Sequence, residues 1–184
     1  MVLTKTPICN FGEKAHDFNL KGVDNKFYNL KNCVGSHGTI IMFICNHCPY
    51  VKAIIKDLVE DIDNFKKNGI KTVAIMSNDT KKYPEDSFEN MLSFSKVNKF
   101  KFPYLLDDTQ EIAKRFGAVC TPDFFGYNKE LRLQYRGRFK ELRELTPVKT
   151  GESDLKIAMN MIFKTQNGPK EQIPSMGCNI KWIK

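Results

Sequence analysis

The sequence predicts an α/β fold, a central mixed sheet flanked by helices, and two observations carry the prediction. The uncharged run at 39–44 is β-branched and aromatic, the composition of a strand buried on both faces. A segment of helical periodicity follows it, then a second apolar run, Ile70–Met76. Strand, long helix and strand make a βαβ unit, whose crossover implies parallel pairing. Farther on, the runs at 119–127 and 131–135 flank Asn128-Lys129-Glu130 at hairpin spacing, which adds an antiparallel pair.

Residues 1–38 hold weaker signals. Short apolar stretches ending at Leu20 and Leu30 suggest hairpin-like edge strands, and Gly35-Ser36-His37-Gly38 turns the chain into the central strand. Pro49 suits a first helical turn, where its missing N–H would have no partner anyway. Val51, Ile54, Ile55, Leu58, Val59, Ile62 and Phe65 then recur at helical spacing, until Asn68-Gly69 stops the helix. Tyr83-Pro84-Glu85-Asp86-Ser87 reads as a helix start with acids in the first turn, and Phe88, Met91, Leu92 and Ser95 form its apolar face. A short strand at 102–106 comes next. Asp107-Asp108-Thr109 caps a helix that turns Ile112, Ala113 and Phe116 inward and closes at Gly117. A last helix runs from Gly151 to about Asn167, with Leu155, Ala158, Met159 and Ile162 on one face. No repeat, low-complexity segment or linker divides the chain, so a single domain over 1–184 is expected.

Composition narrows function by exclusion. With 41% hydrophobic and 27% charged residues, the chain resembles an ordinary soluble globular protein. The net charge of +8 is spread along the sequence without a nucleic-acid motif, so a solvated basic surface is expected rather than a nucleic-acid partner. The longest uncharged apolar stretch, 39–45, falls far short of the roughly 20 residues that a membrane span needs. The first residues lack the apolar core of a signal peptide, and a cytoplasmic location is the expectation. There, a close pair among six cysteines points to catalysis or metal binding rather than to a disulfide scaffold.

That pair is Cys45-Asn46-His47-Cys48, placed where a buried strand hands over to a helix N-terminus. Exposed N–H groups and the helix dipole favour a thiolate there. In thiol–disulfide exchange one thiolate attacks and a second, within reach, resolves the mixed disulfide. Cys45, nearer the open end of the helix, is the expected nucleophile and Cys48 the resolver. His47 either tunes the thiolate as a partly cationic imidazole or only points to solvent. The reading requires two accessible sulfurs within bonding reach.

This order of elements, with the cysteine pair, resembles the thioredoxin fold, and within it the branch holding alkyl hydroperoxide reductase, the thiol-specific antioxidants and the redoxins. Residues 12–20 are similar to that branch's opening motif, with His16 where a proline is usual, and 77–102 sit at the redoxin-type insertion. The segments 83–87, 102–105, 119–125 and 177–182 resemble most closely the bacterial peroxiredoxin-like proteins. The resemblance covers nearly the whole chain. It implies a thioredoxin-like domain with an N-terminal β extension and an oxidoreductase activity without a cofactor. The implied partners are a thiol or disulfide substrate and a dithiol electron donor such as a thioredoxin-type protein. Thr121-Pro122 resembles the fold's cis-proline loop, which implies that Thr121 presents its backbone to an extended substrate. Three residues are auxiliary candidates: Cys178 as a third redox partner on a mobile tail, Cys120 beside the loop, and Arg143 as a peroxidase's activating arginine. Cys120 reads first as a buried small hydrophobe, and Cys9 and Cys33 have no assigned role.

Three departures rank the activities. The buried acid usual six residues before the first cysteine is Thr39 here, and the tryptophan usual before the motif is replaced by Phe43-Ile44. The peroxidase signature's proline and hydroxyl positions hold Ile41 and Cys45 counted from Cys48, or Gly38 and Met42 counted from Cys45. Disulfide exchange therefore ranks above peroxide reduction, and a non-catalytic interaction domain is the remaining class. Cys33, His37, Cys45 and Cys48 have zinc-ligand chemistry, but a rigid strand separates the two halves of the set, so no metal is expected.

Overall fold

Every residue of the strand Gly38–Phe43 is buried, because helices cover both faces of the sheet it centres. The computed structural model describes residues 3–7 and 10–184, so Cys9 lies outside the described residues. In chain order the elements are β1 (Leu3–Lys5), β2 (Asn19–Gly22), β3 (Phe27–Asn29), α1 (Leu30–Cys33), β4 (Gly38–Phe43), α2 (Pro49–Lys67) and β5 (Ile70–Met76). A 3-10 turn (Pro84–Asp86) leads to α3 (Phe88–Val97), β6 (Tyr104–Leu106), α4 (Glu111–Phe116), β7 (Cys120–Thr121), β8 (Asp123–Tyr127) and β9 (Leu133–Gly137). The chain ends with β10 (Leu142–Arg143), β11 (Thr146–Pro147), α5 (Asp154–Thr165) and β12 (Met176–Asn179).

The main sheet has the order β3-β2-β6-β5-β4-β8-β9. Its β4–β5 and β5–β6 pairs are parallel and the others antiparallel, so the sheet is mixed, as expected. Alternation along β4 divides the core into two layers. Ile40 and Met42 pack with α2, α3 and α5, while Ile41 and Phe43 pack with α1 and α4. The βαβ unit, the hairpin at 128–130 and the edge hairpin β2–β3 all form where the periodicity puts them. No helix among the described residues is long and apolar enough to cross a membrane.

Three local outcomes differ from the pattern reading. The run at 119–127 is not one strand: Thr121–Pro122 is cis, and the chain changes sheets there. β7 pairs with β12, which in turn pairs with β1, while β8 stays in the main sheet. The helix expected from Tyr83 begins only at Phe88, where Ser87 caps it by accepting the Asn90 amide at 3.3 Å. Asp86 is thereby released from helix duty and is wholly buried. Finally, the C-terminal segment is no mobile tail. Asn78 Oδ1 accepts the Lys181 amide at 2.9 Å, and Gln110 takes the Lys181 carbonyl at 2.7 Å and the Ile183 amide at 2.8 Å.

Candidate active site

The strand-to-helix junction delivers both cysteines into the same buried spot. Cys48 is the N-cap of α2 in extended conformation, with Pro49 in the first turn. Cys45 Sγ lies 3.4 Å from the Thr121 hydroxyl, and Cys48 Sγ lies 3.2 Å from the Thr121 carbonyl oxygen. The loop before Pro122 thus closes over the pair, as the resemblance implies. The two sulfurs also interact with each other, and a third joins them: Cys178 Sγ is 3.0 Å from Cys48 Sγ.

Burial overturns one expectation. Cys45 is 1% exposed and Cys48 0%, so the pair is within reach but not accessible in this conformation. The electrostatics of the two sulfurs differ. Cys48 is pushed well below the ordinary thiol range, mainly because the Cys178 and Cys45 thiols hydrogen-bond to it, with a smaller contribution from the Val51 amide in the first turn. Cys45 is pushed up by its bond to Cys48, by burial and by the neighbouring Asp86 carboxylate. The sulfurs around Cys48, more than the helix start, therefore favour charge there, with Cys45 held as a thiol. Cys178 is also held up as a thiol, first by its bond to Cys48.

Pattern reasoning missed Asp86. Its Oδ1 accepts the Asn46 amide at 2.8 Å, and its Oδ2 accepts from Asn78 Nδ2 at 2.7 Å and lies 2.7 Å from His47 Nδ1. Asn46 returns a bond to the Glu85 carbonyl at 3.2 Å and accepts the Tyr104 hydroxyl at 2.9 Å. Each residue between the cysteines is thus held from the loop at 83–86. Cys45 Sγ, a His47 ring nitrogen and an Asp86 oxygen lie within 4.8 Å of one another. A buried acid thus stands beside the pair, in the loop at 83–86 and not at position 39. Its only sequence signal was two acids after a proline, which read equally well as a helix start. His47 does not merely point to solvent: its side chain is 21% exposed and stacks at 6.0 Å on Tyr83.

The remaining candidates separate. The backbone edge at Thr121 is taken by β12 itself, with Cys178 opposite Thr121 and Asn179 opposite Cys120, so in this conformation no extended substrate can pair there. Cys120 is buried and pushed up by burial, consistent with a small hydrophobe. Arg143 does not join the site; its side chain is 78% exposed and bonds Glu141 at 3.0 Å on the β10–β11 ribbon. The set of four zinc-type residues does not assemble either. Cys33 packs in the opposite core layer from Cys45 and Cys48, and His37 packs on Phe163.

Residues 11–139, more than half of the chain, match the AhpC/TSA family. No curated protein matches. An uncharacterized conserved protein from Geobacillus kaustophilus is 37% identical, with a TM-score of 0.95 over 100% of this chain and 97% of that one. More distant structures share the fold. A thiol:disulfide interchange protein from Chlorobium tepidum is 18% identical (TM-score 0.61, covering 86% of this chain and 97% of that one). The peroxidoxin BcpB from Mycobacterium tuberculosis is 16% identical (TM-score 0.56, covering 67% and 81%). With its thioredoxin-like mixed sheet and its paired sulfurs, the chain belongs to the AhpC/TSA family and is an oxidoreductase.

Proposed function

We propose that the protein is a thiol–disulfide oxidoreductase that cycles Cys45 and Cys48 between dithiol and disulfide. One observation carries the reading: the two sulfurs meet at the start of α2, and the hydrogen bonds around them favour charge on Cys48. The lower the pKa of a thiol, the better it leaves. A substrate thiolate attacking the disulfide at Cys45 expels Cys48 as the stabilised thiolate. In the reverse direction, Cys48 resolves a mixed disulfide carried on Cys45. Cys45, held as a thiol beside Asp86 and His47, passes its proton to that carboxylate–imidazole pair when it attacks. The buried pair opens before exchange, and the cytoplasm, where the sequence reading places the protein, would supply a thioredoxin-type dithiol as electron donor.

Disulfide exchange ranks above peroxide reduction because no arginine hydrogen-bonds either sulfur among the described residues, and Arg143 points to solvent. The test mixes reduced protein with hydrogen peroxide and, separately, with a protein disulfide, and follows thiol loss with Cys45→Ser and Cys48→Ser controls. Fast loss with the disulfide in wild type, abolished in Cys48→Ser and slowed in Cys45→Ser, is expected. Fast loss with peroxide alone overturns the ranking.

A further inference from the structure

Among the described residues, the sulfur of Cys48 is hydrogen-bonded by two others. Cys45 comes from its own loop, and Cys178 is brought in across the sheet edge, 130 positions away in sequence. Contacts on both edges of β12 and beyond its end fix Cys178 in place. β12 pairs with β7 so that Cys178 faces Thr121, and the Ile180 amide extends the ladder to the Val119 carbonyl at 3.0 Å. On its other edge β12 pairs with β1, Cys178 facing Leu3. Beyond it, Asn78 and Gln110 hold Lys181 and Ile183. Gly177 lets the strand come this close, since a Cβ there would stand 2.1 Å from the Thr121 carbonyl oxygen. The result is a sulfur–sulfur distance of 3.0 Å against about 2.05 Å for a disulfide bond, so about 1 Å of approach forms the bond.

We propose that Cys178 is a third redox thiol that exchanges with the Cys45–Cys48 disulfide by attacking Cys48. This rests on the dithiol reading above. The Cys178 sulfur forms a bond to Cys48 Sγ, the Cys45–Cys48 bond breaks, and its electron pair leaves on Cys45. The proton given up by Cys178 ends on Cys45, so the protein stays oxidised by two electrons and needs no further oxidant. Proximity sets the direction of attack, since Cys178 rests on Cys48; Cys45, the poorer leaving group, leaves as the thiol it is held as. Once Cys48 is in a disulfide its charge no longer holds the proton on Cys178; burial still does, and Lys181 draws it off. Cys45 returns as a thiol beside Asp86 and His47. β12 thus lies along Thr121 as an extended thiol substrate would, and carries its own sulfur.

Disulfide mapping tests this on the full chain. Wild type, Cys45→Ser and Cys178→Ser are oxidised stoichiometrically with oxidised glutathione, quenched in acid, alkylated and mapped by mass spectrometry over time. In wild type the Cys45–Cys48 link is expected first and the Cys48–Cys178 link after it in the same sample. Cys178→Ser should give only the first and Cys45→Ser only the second. If Cys45→Ser does not fold, the wild-type time course decides alone. A wild type that forms Cys45–Cys48 but never Cys48–Cys178 overturns the third-thiol step and leaves the dithiol reading standing. A Cys48–Cys178 link confined to Cys45→Ser, or Cys178 joined to any other cysteine, also overturns the step. Absence of Cys45–Cys48 in both wild type and Cys178→Ser overturns the dithiol reading itself.

Discussion

Asp86 holds His47 Nδ1 at 2.7 Å with one carboxylate oxygen and the Asn46 amide at 2.8 Å with the other, so one buried acid fixes both residues between the cysteines. Its charge also holds the Cys45 proton in place. In Asp86→Asn the charge is gone and an amide N–H faces groups that donate. Stability should fall by about 1–3 kcal/mol, the usual cost of unmatched buried polar groups. The pH midpoint for alkylating Cys45 should move down. A midpoint that stays put or rises would remove Asp86 from the electrostatics of the pair.

Tyr104→Phe tests the loop's support from below. The buried hydroxyl donates to Asn46 Oδ1 at 2.9 Å, and its loss leaves that acceptor short of a partner. A destabilisation of about 1–3 kcal/mol in denaturant melts of the reduced protein is expected. A melt within error of wild type would mean that the bond contributes nothing.

Thr121 acts on Cys45 in the opposite sense from Asp86. Its hydroxyl, 3.4 Å from Cys45 Sγ, favours the thiolate. Thr121→Val keeps the shape and removes the donor, so the Cys45 alkylation midpoint should rise and exchange at neutral pH should slow. Thr121→Ser should restore both. Rescue by serine separates the hydrogen bond from packing.

Cys48 sets a pH dependence whose sign follows from its depressed pKa. In the reduced folded chain it is ionised at pH values where the unfolded chain still holds the proton. The unfolded state then binds more protons, so this contribution grows with pH, is complete above the unfolded thiol pKa of about 8.5, and is lost on acidification. Asp123, raised to about 7 by burial, tilts the curve the other way, and does so in any Cys48 variant too. The stability gap between reduced wild type and Cys48→Ser should therefore be wider at pH 8 than at pH 5. A gap that narrows as pH rises contradicts the placement of the charge.

Gly177→Ala probes the seat of Cys178 without touching a sulfur. The new methyl meets the Thr121 carbonyl at 2.1 Å, and backbone cannot yield as a flexible side chain can. Overpacking costs of about 1–3 kcal/mol apply. The thermal midpoint should drop, and native-state alkylation of Cys178 should quicken as β12 lifts from β7. Unchanged protection of Cys178 would show that the strand is held without this close approach.

Much of the fold was legible in the chain because local rules decide it. The uncharged run around Ile41 can only be a doubly covered strand, the spacing from Val51 to Phe65 can only bury one face of a helix, and Pro49 after Cys48 marks where that helix begins. The cysteine pair at that junction was legible for the same reason. The pattern at Tyr83–Ser87 misled because acids after a proline suit a helix start and a 3-10 turn equally. Ser87 took the capping role, and only the packing of that turn against the junction turned Asp86 inward.

Residue types and spacing by themselves determined the mixed sheet, the helix start and the presence of two sulfurs there, since these depend on neighbours a few positions away. The tertiary structure alone decided which sulfur bears the charge, which acid stands beside His47, and that Cys178 rests on Cys48. Those outcomes depend on burial and on hydrogen bonds between segments 39 to 130 positions apart, distances over which no periodicity carries information.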